Sequence, residues 1–320
     1  MNTRTTSYLL GFAATAVLSS SVAAQGRFDN VQIETVKVSD NIYMLVGSGG
    51  NIGLSIGEDG AIMIDDQFAP LTEKILAAVR TLTDQPVRFL VNTHWHGDHV
   101  GGNENLGKAG AIIVAHENVR KSMSIEHFME AFNRSVPASS EAALPVVTFT
   151  DAMTFHWNGD DVHVFHVEPA HTDGDSIIHF RHANVLHTGD TFFNGMYPYI
   201  DVSSGGSIDG MIAAADVALK LCNDQTRIIP GHGELADADD LRAYRAVLQA
   251  VRDRVRSLVD AGKTREEVIA AKPSAEFDAD WGGGFMKPDV WIGIVYDGMT
   301  KNYRPSGNSH GPVAPGLRLG

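Results

Sequence analysis

The chain has 320 residues, 43% of them hydrophobic and 20% charged, proportions that suit a soluble globular protein with a core of its own. Its net charge of −14 opposes a nucleic-acid partner, because Lys and Arg supply most of the affinity for a phosphate backbone. The single cysteine, Cys222, excludes an intrachain disulfide and any cysteine-rich metal site.

At the N-terminus Arg4 gives a short positive start, and Tyr8–Leu18 is an apolar stretch too short to span a bilayer comfortably. Val22-Ala23-Ala24 then puts small residues before Gln25. This is the pattern of a cleavable secretory signal over residues 1–24, with no cysteine nearby to carry a lipid. The expectation is a protein that works in a bacterial periplasm or outside the cell, with no membrane attachment after cleavage.

From Gln25 the pattern is strand-like. Val36–Val38, Ile42–Val46, Ile52–Ile56 and Ala61–Asp66 are short apolar runs, and Gly57-Glu58-Asp59-Gly60 closes a hairpin between the last two. Strands joined by tight turns imply an antiparallel or mixed sheet. Leu71–Leu82 has apolar residues at helical spacing, Val87–Val91 reads as a buried strand, and Ala111–Ala115 as another. Phe128–Leu144, with Pro137, Ser139 and Ser140, reads either as a flap over a site or as a surface linker. Val146–Phe149, Ala152–Trp157 and Val162–Val167 follow as strands, and Ile177–Phe180 with Asn184–His187 as a hairpin. The last third is more helical. Ile208–Leu221, with Cys222 read as core, precedes a strand at Thr226–Pro230. Asp240–Ala261 is stopped by Gly262, Thr264 with Glu267 reads as a capping box, and Met286–Tyr303 reads as a final helix. Residues 25–304 are read as one domain, and the Gly/Pro-rich stretch 305–320 as a frayed tail.

The densest chemistry lies after the buried strand, in Thr93-His94-Trp95-His96-Gly97-Asp98-His99. Neutral imidazole and ionised carboxylate are the ligand types that suit zinc. His94 and His96 can converge on one metal, and Asp98 and His99, one step further round the turn, can face a second. Three later turns each carry a ligand-type residue: Pro169-Ala170-His171-Thr172-Asp173, Leu186-His187-Thr188-Gly189-Asp190-Thr191 and Ile229-Pro230-Gly231-His232-Gly233. Each alone is a weak signal. In this order they are a strong one.

With these residues in hand, the chain resembles the metallo-β-lactamase superfamily from about Asn41 to His232. The resemblance implies an α/β fold, a four-layered αβ/βα sandwich of two mixed sheets flanked by helices, with metals at one edge between the sheets. It implies that His94, His96 and His171 hold one metal, that Asp98, His99 and His232 hold a second, and that Asp190 bridges both. The family usually holds zinc, so two Zn2+ ions are expected, although some members use iron or manganese. Two such cations lower the pKa of a shared water, so that hydroxide exists near neutral pH to attack a carbonyl, with Asp98 orienting it or passing on its proton. Asp65 and Asp66 are candidates to steady a ligand histidine, or else ordinary turn carboxylates.

Asp190, with Asp98 and His99, is similar to the glyoxalase II and lactonase branches, whereas class B β-lactamases lack that bridging carboxylate. The export signal argues the other way, since β-lactams are met in the periplasm. The expected function is therefore a secreted dinuclear zinc hydrolase that opens a cyclic amide or ester, β-lactams included, acting on a small molecule. A thioester or lactone hydrolase is the alternative. An iron-dependent sulfur oxygenase of the same fold is disfavoured by the full ligand set, and a flavodiiron relative by His96 where that branch has Glu. A non-catalytic zinc-binding partner protein would keep a closed site. Asn194, Tyr197 and Tyr199, after Asp190, are candidate substrate contacts able to donate to an oxyanion, or aromatic packing under a loop.

Overall fold

In the computed structural model, which describes residues 26–300, the strand Ala61–Ile64 is buried on both faces. Ile62 and Ile64 point into one apolar cluster while Ala61 and Met63 point into another, as the two-residue repeat of a strand requires. That strand is the fourth, β4, of a seven-stranded sheet. Its neighbours in space are β1 (Glu34–Lys37), β2 (Ile42–Val46) and β3 (Ile52–Ser55) on one side. On the other lie β5 (Val87–Asn92), β6 (Ile112–His116) and β9 (Val147–Phe149). β1 to β4 pair antiparallel, and β4, β5, β6 and β9 pair parallel, so the sheet is mixed.

A second sheet runs in the order β10 (Ala152–Trp157), β11 (Asp160–His166), β12 (Ser176–Phe180), β13 (Val185–His187) and β14 (Arg227–Ile229). It is antiparallel except for the parallel β13–β14 pair. The two sheets face each other through Ile42, Ile62, Ile64, Val91 and Val114 on one side and Val162, Val164, Ile178, Val185 and Ile229 on the other.

Helices cover the outer faces. Helix α1 (Thr72–Arg80) places Ile75 and Val79 under the first sheet with Leu54, Met63 and Leu90. Two short helices, α2 (Gly97–Val100) and α3 (Asn103–Lys108), follow the central motif, and α4 (Glu117–Met123) follows β6. Behind the second sheet lie α5 (Ile208–Leu221), α6 (Ala238–Asp260), α7 (Arg265–Ala270) and, after a single turn α8 (Asp278–Trp281), α9 (Pro288–Thr300). Met211, Ala215, Leu241, Tyr244, Leu248, Val268 and Trp291 meet Ile177, Leu186 and Ile228 there. The result is helix, sheet, sheet, helix, the expected four layers.

Boundaries differ from the expected ones for local reasons. Helix α6 begins at Ala238 rather than Asp240 because Asp237 caps it and Asp240 returns the bond, a capping box. The Thr264–Glu267 box forms as read, and Gly262 leaves α6 with φ +76°. The Phe128–Leu144 segment holds most of a hairpin, β7 (His127–Met129) with β8 (Arg134–Val136), separate from both sheets. The final helix starts at Pro288, which lacks the N–H that a first helical turn leaves unused. The expected signal at 1–24 and the tail at 305–320 lie outside the described residues. Among the described residues, no helix is long and apolar enough to cross a membrane.

Candidate metal centre

The ligand-bearing turns meet because of the strand directions. β13 and β14 run parallel, so His187-Thr188-Gly189-Asp190 and Pro230-Gly231-His232 leave the second sheet at the same edge. β12 runs antiparallel to β13, so the loop that enters it, with His171, lies at that edge too. β5 of the first sheet delivers Thr93–His99 opposite. Cross-sheet bonds lock the two edges: Ser176 N donates to Thr93 O at 2.9 Å, and Asn51 N to Gly231 O at 2.7 Å. The Asn51 side-chain amide donates to the carbonyls of Pro230 and Gly233, holding the turn of His232 from both sides.

Two groups of donors result, each with its ligand atoms within 4.8 Å of one another: His94, His96, His171 and Asp190, and Asp98, His99 and His232. Asp190 lies between them. Its Oδ1 is 3.1 Å from His99 Nε2, and its Oδ2 is 3.5 Å from the Nε2 atoms of both His171 and His232. Backbone comes close enough to leave no room for side chains. A Cβ on Gly231 would stand 2.1 Å from Asp190 Oδ1, and one on Gly50 would stand 2.1 Å from the His99 ring.

A pair of divalent cations fits this cluster. His94 Nε2 is buried without a hydrogen-bond partner, and the buried His99 Nε2 and Asp190 Oδ1 have only their 3.1 Å contact with each other. A buried polar group left unmet costs about 1–3 kcal/mol, and under-satisfied nitrogen and carboxylate donors converging on one space are what a cation would satisfy. The other ring nitrogens are already engaged. His94 Nδ1 is 3.0 Å from Thr93 Oγ1, His96 Nε2 is 3.0 Å from Asp201 Oδ2, His99 Nδ1 is 2.7 Å from Asp65 Oδ2, and His171 Nδ1 is 2.8 Å from Tyr199 O. Each bond turns the opposite nitrogen inward. That leaves His96 Nδ1 and His171 Nε2 facing each other at 2.8 Å.

The charges divide the same way. Burial holds His94 well below the ordinary histidine range and His171 down at about 4, so both are neutral and ready to ligate. Burial pushes His232 down too, but Asp190 and Asp98 outweigh it and hold it up at about 9. His99 is raised against burial by Asp190, Asp98 and Asp65. Burial raises Asp98 and Asp190, yet His99 and His232 bring both below the usual carboxylate range.

The profile of the Metallo-beta-lactamase superfamily matches residues 45–259. The chain belongs to the metallo-beta-lactamase superfamily. Its superfamily and relatives are metal-dependent hydrolases. It is 21% identical over 214 residues to "Metallo-beta-lactamase type 2" of Bacteroides fragilis, an alignment covering 63% of this chain and 80% of that one. It is 26% identical over 169 residues to a "Hydroxyacylglutathione hydrolase" of Pelagibacter ubique, where it covers 51% of this chain and only 56% of that relative. A metallo-beta-lactamase from Pontibacter korlensis shares the fold with a TM-score of 0.56 at 22% identity, over 68% of this chain and 99% of that one. The sec-alkylsulfatase Pisa1 from a Pseudomonas species shares it with a TM-score of 0.64 at 17% identity, over 88% of this chain and 52% of that one.

Within this superfamily fold, the three expected substrate contacts separate. Tyr197 takes the packing alternative: it is 1% exposed, donates its hydroxyl to Asp278 Oδ1 at 2.8 Å and stacks on Trp291 at 4.1 Å, within the helical layer. Asn194 spends its side-chain amide on Glu234 O at 3.1 Å. Tyr199 does reach the centre, with its ring 5.6 Å from that of His96 and 5.7 Å from that of His171. Of the two candidate carboxylates, Asp65 contacts His99 directly, whereas Asp66 accepts from Gly102 N and meets no ligand side chain. Asp201 was not foreseen. Its sequence signal is slight, an Asp followed by Ser203 and Ser204, which turn back to donate to it.

Proposed function

We propose that this chain is an exported hydrolase that holds two zinc ions and opens a cyclic amide or ester, with β-lactams among its substrates. The observation that carries the reading is Asp190, one buried carboxylate shared by both donor groups, in a cluster whose Asp98 and His232 reach solvent. The open side is formed by Asp98 and His232, whose side chains are 28% and 23% exposed. A closed structural site has no such face, and a catalytic one needs it. Nitrogen and carboxylate donors without sulfur suit zinc. Export rests on the N-terminal sequence alone.

Bound in this cluster, a pair of divalent cations would polarise the carbonyl and lower the pKa of a water near it. His94, His96 and His171 would hold one ion, Asp98, His99 and His232 the other, and Asp190 both. Asp98 does the proton work. It stays ionised at neutral pH, and its Oδ2 lies at the open face, 3.4 Å from His232 Nε2. It can therefore take a proton from attacking water and deliver it to the departing amide nitrogen or ester oxygen. No Ser or Cys nucleophile is needed.

Thioester or lactone hydrolysis is the second reading, favoured by the same bridging carboxylate and by the likeness to a hydroxyacylglutathione hydrolase. Metal-quantified protein assayed against chromogenic β-lactams, lactones and glutathione thioesters separates the two. Two zinc equivalents with turnover of none of the three classes would refute both.

A further inference from the structure

We propose that Tyr199, Phe132 and Phe285 form the subsite that receives an apolar, ring-sized substituent of the substrate. The inference rests on the hydrolase reading, because that substituent belongs to the molecule opened at the donor cluster.

The three rings make a continuous row from the metal centre to the surface. Tyr199 lies against His96 and His171, and its carbonyl accepts the His171 Nδ1–H, so its position is tied to the donors. Phe132 sits on Tyr199 with ring centroids 4.9 Å apart, and Phe285 sits on Phe132 at 5.6 Å. Exposure rises along the row, from 6% at Tyr199 to 37% at Phe132 and 67% at Phe285. The rings come from three separate segments: the loop after β13, the turn between β7 and β8, and the stretch after Gly282-Gly283-Gly284. Gly284 presses on Met196 so closely that a Cβ would stand 2.7 Å away, which fixes where Phe285 emerges. Local packing of one segment does not produce such a row.

A cavity of about 270 Å³ opens against the same Tyr199 and against Ala131, the neighbour of Phe132. Val202, Val290 and Ile294 also line it. Of its charged lining residues, Arg265 and Asp297 pair with each other at 3.3 Å, and Asp201 adds a second carboxylate. An anionic substituent would have to break that pair, whereas an apolar one leaves it intact. Face and edge contacts to a substrate ring add to simple burial, and a pocket of this kind separates ligands by size.

The test compares two thiols, which ligate zinc through sulfur whatever the true substrate is. Binding of 2-mercaptoethanol and of 2-phenylethanethiol to the zinc-loaded full chain is measured by calorimetry. The phenyl compound is expected to bind about tenfold or more tighter, and Phe285→Ser or Phe132→Ser should reduce that ratio at least about threefold while 2-mercaptoethanol binding holds. Phe132→Leu, which keeps apolar bulk, should give an intermediate ratio and guards against a misfolded serine variant. Equal or absent binding of the two thiols, or a ratio untouched by all three substitutions, overturns the proposal. So does a concentration-dependent dimer that Phe285→Ser dissolves, since a second copy would then be what covers the row. A protein that shows the ratio but hydrolyses nothing retains the subsite and loses the hydrolase reading; one that hydrolyses lactams or lactones but lacks the ratio does the reverse.

Discussion

Nδ1 of His99 stands 2.7 Å from Oδ2 of Asp65, both fully buried. The same carboxylate accepts the Thr93 hydroxyl at 2.7 Å and the Thr93 N–H at 2.8 Å, and the Thr93 oxygen lies 3.0 Å from His94 Nδ1. One carboxylate at the end of β4 thus orients a donor of each group. Asp65 has φ +61°, a left-handed conformation that Asn adopts at least as readily as Asp, as Asn133, Asn158 and Asn184 do in this chain. Asp65→Asn therefore removes the charge without straining the turn. It should lower metal affinity about 10- to 100-fold, mainly at the His99 group, in a chelator-competition titration. Unchanged affinity in both binding steps would show that Asp65 only holds the fold.

Glycine at the centre is a matter of space. A methyl at Gly50 would meet His99 Cε1 at 2.1 Å and Nε2 at 2.4 Å, whereas one at Gly97 would meet nothing within 4 Å. Gly50→Ala should displace the His99 ring, costing about 1–3 kcal/mol of stability together with the second metal equivalent. Gly97→Ala, one residue from Asp98, should stay within about 0.5 kcal/mol of wild type. Urea melts and metal analysis of the pair check this, and equal behaviour of the two variants would be the contrary result.

The donors were legible in the sequence because each stands in a turn directly after, or before, a short apolar strand, so that residue type and strand edge point to the same place. The strands were legible by their two-residue repeat, clearest in β4. What escaped notice depends on contacts across long stretches of chain. Asp201 meets His96 across 105 residues, and nothing local tells its carboxylate from those of neighbouring turns. Whether Tyr197 faces substrate or packs under a loop is not decided by its closeness to Asp190 in sequence, because its partner Asp278 lies 81 residues away in the helical layer. The β7–β8 hairpin was hidden because each strand has three residues and Pro137, Ser139 and Ser140 dominate the local composition.

A pH response follows from His116, which caps α4. Its Nδ1 accepts the Asn118 N–H at 3.3 Å and its Nε2 is 2.9 Å from Thr150 O, while its ring stacks on His166 at 3.8 Å. A second ring proton would point at an N–H donor. Burial, then His166, hold the pKa at about 4, against an ordinary 6.5. The folded pKa lies below the unfolded one, so the contribution is fully present above pH 6.5 and is lost as pH falls toward 4. His116→Asn keeps a good helix cap without a titrating group. Between pH 7 and pH 4.5 the wild type should lose on the order of 2 kcal/mol more than the variant in denaturant melts of metal-free protein. Parallel curves for the two proteins would exclude His116 as the source.

Asp201 should control the other metal. Its Oδ2 lies 3.0 Å from His96 Nε2, and the Ser204 hydroxyl donates to that same oxygen at 2.7 Å. Burial would raise the pKa of this carboxylate, but His96 and the two serine hydroxyls keep it ionised, so a charged acceptor faces the histidine N–H. Asp201→Asn preserves the side-chain shape while removing the charge, and it should weaken binding at the His94–His96–His171 group about tenfold. Asp65→Asn acts chiefly on the opposite group, so the two substitutions should move different steps of the same two-step titration. Their effects should combine nearly additively in the double variant, apart from whatever coupling passes through the shared Asp190. If both substitutions moved the same step, the separation of the donors into two groups would be wrong, and the cluster would bind as a single unit.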